Sequence, residues 1–170
     1  KLNVDSRRTL GGSSVSDPKA ILDRRLENVA TRDETRGLHF FCQIGGHDDE
    51  LGMTTLQMSG SGWTLLSWKT LEESELYSVE LTAGDMETFY KILKDNPFWA
   101  ASPTRRPRQD GETNVHMRFA DQDAGTYSAI QFWDGDIENY PVLGDLLSRV
   151  IQLIRVISED EIPYLELPDY

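Results

Sequence analysis

Apolar positions along this chain switch between two periods, and the switches divide it into elements. From Asp17-Pro18 onward, Ile21, Leu22, Leu26 and Val29 recur at helical spacing and predict a short helix over residues 18–30. Asp17 suits the N-cap and Pro18 the first helical position. A stripe this narrow needs another surface to pack against. Before it, residues 1–16 show no sustained period and carry Gly11-Gly12-Ser13-Ser14, so they read as an arm. Thr31–Gly37 reads as a linker. The expected organisation is an N-terminal arm and short helix over 1–37, then a single α+β domain over 38–170.

At Leu38 the period drops to two. Leu38, Phe40, Cys42 and Ile44 share one strand face, with His39 and Gln43 on the other. Leu51–Met58, Trp63–Lys69 and Leu76–Leu81 follow as strands, separated by GGHDDE and Ser59-Gly60-Ser61-Gly62. Together they predict an antiparallel four-strand meander. Thr82 then opens a helix, with Asp85 three residues on as a capping-box variant. Met86, Phe89, Tyr90 and Leu93 form its apolar face, and Asn96-Pro97 ends it. Phe98-Trp99 is expected to plug the core. Ala100–Glu112 reads as a loop. A hairpin follows, Val115, Met117 and Phe119 on one face, with Ala120–Gly125 turning into Tyr127–Trp133. Asp134–Tyr140 reads as a loop, and Pro141 opens a strongly apolar helix through about Ile157. The tail from Ser158 is acidic, carries Pro163 and Pro168, and is expected to lie extended. Consecutive strands with few intervening helices favour α+β over a doubly wound sheet.

Charge changes the picture most. The 170 residues hold 17 basic and 29 acidic side chains, a net charge of −12. Residues 1–37 contribute eight basic and six acidic residues, so the acid is concentrated in the body. This argues against nucleic acid, where Lys and Arg must neutralise phosphates, and against an anionic membrane surface. It favours a partner with a basic surface, or serves solubility alone. No apolar run approaches the about 20 residues of a membrane span. The start, KLNVDSRRTLGG, has no signal-peptide core and no Met, so the natural start is expected upstream or processed. A single cysteine excludes an intrachain disulfide framework and favours a cytoplasmic setting while leaving secretion open.

Three stretches are candidates for chemistry. GGHDDELG gathers His47, Asp48, Asp49 and Glu50, which suggests a metal or acid–base site. Neighbouring side chains of an extended segment point to alternate sides, however, and Gly45-Gly46 between two strands reads as a hairpin turn. Asp134, Asp136 and Glu138 faintly resemble a calcium loop, but Asn139 stands where glycine is needed and Pro141 falls inside. Arg105, Arg106 and Arg108 either grip an anion or pair with the protein's own acids. Cys42 lies on an apolar strand face away from His39 and reads as an inert core thiol. No nucleophile elbow, phosphate loop, dinucleotide fingerprint or zinc-protease motif is present. The sequence therefore implies no catalytic residue, cofactor or metal.

From Leu56 onward, LQMSGSGWTLLSW, ELTAGDMETFYKIL, VHMRFADQDAGTYSAIQFW and YPVLGDLLSRVI resemble small bacterial peptidase-inhibitor domains of the emfourin type. The resemblance covers about 100 residues and implies strands, a helix, a hairpin and a closing leucine-rich helix. It departs at SGSGW, where the family tends to have Gly-Gly-Phe, and in the Arg-rich loop. The expectation is a non-enzymatic acidic module that regulates or inhibits a protein partner, a peptidase or a basic toxin. Its contacts would be the acidic and Arg-rich residues above, with Trp63, Trp68 and Trp133 as aromatic anchors or core. The alternatives are a metal-dependent hydrolase using the acidic loops, and a structural subunit docking through its arm. Oligomeric state is open.

Overall fold

A computed structural model describes residues 17–32, 34–46 and 48–168. The expected arm, 1–16, and His47 lie outside the described residues. In chain order the elements are helix α1 (Pro18–Arg32), strands β1 (Leu38–Gly45), β2 (Met53–Ser59), β3 (Trp63–Lys69) and β4 (Ser74–Glu80), then helix α2 (Ala83–Asp95). A 3₁₀ turn (Phe98–Ala100) and a long loop lead to β5 (Asn114–Asp121) and β6 (Thr126–Trp133). A second 3₁₀ segment (Asp134–Asn139) runs into helix α3 (Pro141–Ser158).

All six strands form one antiparallel sheet in the order β4-β3-β2-β1-β5-β6. The meander of four is thus only part of the sheet. The β5–β6 hairpin adds to the β1 side, pairing Cys42 with Met117 and Phe40 with Phe119. Because side chains alternate across a strand, this register puts Phe40, Cys42, Leu56, Leu66, Met117 and Phe119 on one face. All of them are buried. Helices cover that face: Phe89 of α2 meets Phe40 edge-on at 4.8 Å, and Trp99 stacks on Phe119 at 5.7 Å.

Local sequence explains the elements. Thr82 Oγ1 accepts from the Asp85 amide at 3.1 Å while Asp85 Oδ2 accepts from the Thr82 amide at 3.4 Å, so α2 starts with a reciprocal cap. In α3, Pro141 sits in the first turn, where its missing N–H costs nothing. The helix buries Leu143, Leu146, Leu147, Val150, Ile151, Leu153 and Ile154. Two left-handed residues, Glu159 and Asp160, then end it, with the Asp160 amide donating back to Arg155 O at 2.9 Å.

Three features differ from the sequence expectation. α1 is not separate from the body: Leu22, Leu26 and Val29 belong to the same buried cluster as the strands. Trp99 Nε1 donates to Asp23 of α1 at 2.9 Å, and Arg25 reaches Asp121 of β5 at 3.4 Å. A boundary after residue 37 therefore cuts through a packed core. The Phe98-Trp99 core plug closes as a 3₁₀ turn, and most of the loop expected at Asp134–Tyr140 is a 3₁₀ segment. The tail has no regular structure, yet it buries Ile162 and Leu165 against the core.

Candidate functional site

Strand register decides which loops meet. Gly45 pairs with Met53, Met53 with Lys69, Ile44 with Val115, and Asn114 with Trp133. The β1–β2 turn, the β3–β4 turn, the start of β5 and the end of β6 therefore lie along one end of the sheet. Two of the acidic stretches singled out in the sequence, residues 48–50 and 134–138, are brought to that end. Glu72 and Glu73, which carry no motif in the sequence, join them.

The β1–β2 connection is a closed turn. The Asp49 amide donates to Gly46 O at 3.0 Å, and the Gly52 amide donates to Asp49 O at 2.9 Å. Asp49 Oδ1 accepts from the Leu51 amide at 3.0 Å, the local bonding for which Asp is favoured in turns. Gly45 has φ +84°, and a Cβ there would run into the Gly52 carbonyl, so only glycine serves. Trp68 Nε1 donates to Leu51 O at 2.8 Å and ties the turn to β3. This arrangement leaves Asp48 and Glu50 exposed and Asp49 half-buried. In the β3–β4 turn, Thr70 Oγ1 accepts from the amides of Glu72 and Glu73 at 3.2 and 3.0 Å, and both carboxylates are exposed.

The Arg-rich loop turns inward. Arg106 grips Glu112 with two parallel bonds, Nη1 to Oε1 at 2.7 Å and Nη2 to Oε2 at 2.6 Å. Its Nε donates to Asp136 Oδ1 at 3.0 Å. Glu112 Oε1 also accepts from the Gln109 amide at 2.6 Å. The Arg106 guanidinium, helped by that amide and opposed by burial, holds the Glu112 carboxyl at about 2. The same pairing raises Arg106 above its ordinary value. Gly135 lies against them, and a Cβ there would push on Glu112 Oε2 and disturb the pair. Asp134 Oδ1 accepts from the Thr113 amide at 2.8 Å, and burial pushes its carboxyl up despite that bond. Asp136 Oδ2 accepts from the Trp133 amide at 3.0 Å, and Trp133 Nε1 donates to Arg106 O at 3.1 Å. Arg108 Nε closes the loop on Glu112 O at 2.7 Å.

The sequence candidates therefore divide. Asp48, Glu50, Glu138, Arg105 and Arg108 are exposed. Arg106, Asp134 and Asp136 hold the loop, Arg106 pairing with the protein's own acids Glu112 and Asp136. Among the tryptophans, Trp68 is 7% exposed and is core, Trp133 is tied to the loop, and Trp63 is 55% exposed. Cys42 is buried, and desolvation pushes its thiol well above the ordinary range, as an inert core thiol requires. Among the described residues no three His, Cys, Asp or Glu side chains converge to hold a metal ion. None of their helices is long and apolar enough to cross a membrane.

The other face of the sheet was not singled out in the sequence. Opposite the covered face, β3 presents Trp63 and Leu65, β4 presents Leu76, and β6 presents Tyr127. Each is at least 45% exposed. The signal was present in WTLLSWK, where apolar residues occupy both parities of one strand. A comparison with protein-family models matches none, and a comparison with curated proteins finds no match.

Proposed function

We propose that this protein is a non-enzymatic binding module that regulates or inhibits a protein partner with a basic surface, using the acidic end of its sheet. The observation that supports the reading is that Asp48, Glu50, Glu72, Glu73 and Glu138 lie along that end, spread from the β4 edge to the β6 edge, all exposed. The nearby Arg106, which would offset them, is already neutralised by Glu112 and Asp136. These five exposed acids outnumber the exposed Arg105, Arg108 and Lys69 at the same end, and an excess of one sign raises the rate at which an oppositely charged surface arrives, while contributing less to how long it stays. A peptidase is the target that the emfourin resemblance suggests; a basic toxin fits the charge equally.

The test pairs capture with kinetics. Native protein is immobilised beside a variant carrying Asp48→Asn, Asp49→Asn and Glu50→Gln, and both are exposed to lysate and to a panel of purified bacterial peptidases. Captured proteins should be basic and should bind native protein faster than the variant, with the difference shrinking as salt is added. Equal association rates for the two at low salt would remove this end of the sheet from the interface.

A further inference from the structure

The open face of the sheet is unlike the rest of this acidic molecule. Its residues on all six strands follow from the pairing register, and Glu80 is the one acid among them, beside Arg118 and Lys69. The strands' remaining acids, Glu75 and Asp121, fall on the covered parity. Trp63 is 55%, Leu65 45%, Leu76 70% and Tyr127 54% exposed, so no element among the described residues covers them.

We propose that a second copy of this chain docks on this face, sheet against sheet, about a twofold axis parallel to the strands. Size supports it. Six strands about 4.8 Å apart, with about 3.3 Å per residue along each, project roughly 600 Å². Side-chain relief brings the accessible area near the ~800 Å² per partner of a standard interface. Charge supports a like partner: two chains of net −12 repel through most of their surfaces, whereas this face turns nearly all the acids away.

The register supplies the complementarity. Across one row stand Glu80, Trp63, Ser59, His39, Ala120 and Tyr127, from β4 to β6. A twofold axis along the strands, between β2 and β1, lays this row over its own reverse. Trp63 then sits over Ala120 of the copy, a large side chain against a small one. Glu80 arrives at Tyr127, where Arg118 lies over the ring at 4.3 Å. The one acid of the face thus meets a cation at each margin, twice by symmetry. An axis across the strands would instead set Trp63 against Lys69 of the same strand and leave Glu80 facing Ser74. Aligned sheets pack in this way about 10 Å apart, inclined by about 30°.

Sedimentation equilibrium of the full chain, from low micromolar to sub-millimolar, tests this. The native protein should pass from monomer to dimer, with Trp63 emission shifting to the blue as it is covered. Trp63→Glu should weaken the dimer at least about 30-fold while leaving circular dichroism and the melting temperature of the monomer unchanged. Glu80→Arg and Arg118→Glu should each weaken it, and the double exchange should restore it, which a merely sticky surface would not do. A monomer at every concentration overturns the proposal, as does a dimer indifferent to Trp63→Glu and to both charge reversals. If the chain stays monomeric and Trp63→Glu instead abolishes capture of a different protein, the face belongs to that protein. The acidic-end reading survives either result, because its own variant touches none of these residues.

Discussion

Leu65 and Leu66 are neighbours on one strand, yet Leu66 is fully buried and Leu65 is 45% exposed. The sheet they belong to has one apolar face and one on which Trp63, Leu65, Leu76 and Tyr127 stand among polar side chains, and the two have different fates. One is sealed by three helices and a tail, and the other is left uncovered by the described residues. Apolar content alone does not separate the two leucines, since a strand that is apolar on both parities ordinarily has both faces covered. What separates them is which face the connections cross. α1, α2 and α3 all pack on the Phe40 side and none on the Leu65 side. An exposed apolar patch persisting on a protein this charged is more informative than any one of its loops.

Taking away the cover should have the largest effect. A chain beginning at Arg36 lacks Leu22, Leu26 and Val29, and exposes the parts of α2, β5 and β6 that α1 covers. It should fail to unfold cooperatively by circular dichroism, whereas a chain beginning at Ser16 keeps α1 and its capping residue Asp17. A sharp native-like transition in the shorter chain would show that α1 is only an accessory to the covered face.

The adjacent leucines give the next largest contrast. Leu66→Ala opens a cavity among fully buried side chains and should cost about 2–5 kcal/mol in urea unfolding. Leu65→Ala, measured on dilute monomer, should stay within about 0.5 kcal/mol of native. Equal costs would mean that the open face is covered in solution even by the monomer.

Much of the covered face was legible in the sequence, because its signals are local. The alternation from Leu38 to Ile44, the Thr82–Asp85 cap and the Pro97 stop each depend on a few neighbouring residues. What was not legible depends on distant ones. Nothing near Val115 says that β5 pairs with β1, and that pairing is what carries 134–138 to the same end of the sheet as Asp48 and Glu50. Nothing in the stripe from Ile21 to Val29 says what it packs on, so the sequence alone groups α1 with the arm. Pro163 and Pro168 correctly suggested an irregular tail but hid Ile162 and Leu165, since irregular backbone can still be buried. The Arg-rich loop admitted two readings until Glu112 and Asp136 were seen from both sides of Arg106.

That loop joins the two faces at the sheet's end, and acid should loosen it. The Glu112 carboxyl is held at about 2 against an ordinary value of 4.5. A depressed carboxylate contributes stability that is fully present above its unfolded value and fades as pH falls toward the folded one. Native protein should therefore lose this contribution between about pH 4.5 and pH 2. Glu112→Gln should be less stable than native at pH 6, and the gap should close across that window in urea midpoints. A gap that persists at pH 2 would assign the loss to packing around Gly135, with no part for the ion pair.

The smallest effect on folding should come from the variant that matters most for the acidic end. Asp48→Asn, Asp49→Asn and Glu50→Gln remove three charges, while the amide that replaces the Asp49 carboxylate keeps an oxygen to accept from the Leu51 N–H. Among the described residues the turn is also closed by backbone bonds from Asp49 to Gly46 and from Gly52 to Asp49, and Gly45, Gly52 and the Trp68 tie are untouched. Thermal unfolding should therefore match native, as expected for exposed charges in high dielectric. Association with a basic partner should slow by about tenfold at low salt, because steering acts before contact. Dissociation should change far less, and the difference in association should shrink at physiological salt, where exposed charges are screened beyond about 8 Å. The same variant should leave the self-association of the open face no weaker, and a loss of three negative charges per copy should if anything favour it. A triple variant that slows partner association but leaves the dimer intact would separate the two surfaces; one that weakens the dimer would place the turn inside the interface assigned to the open face.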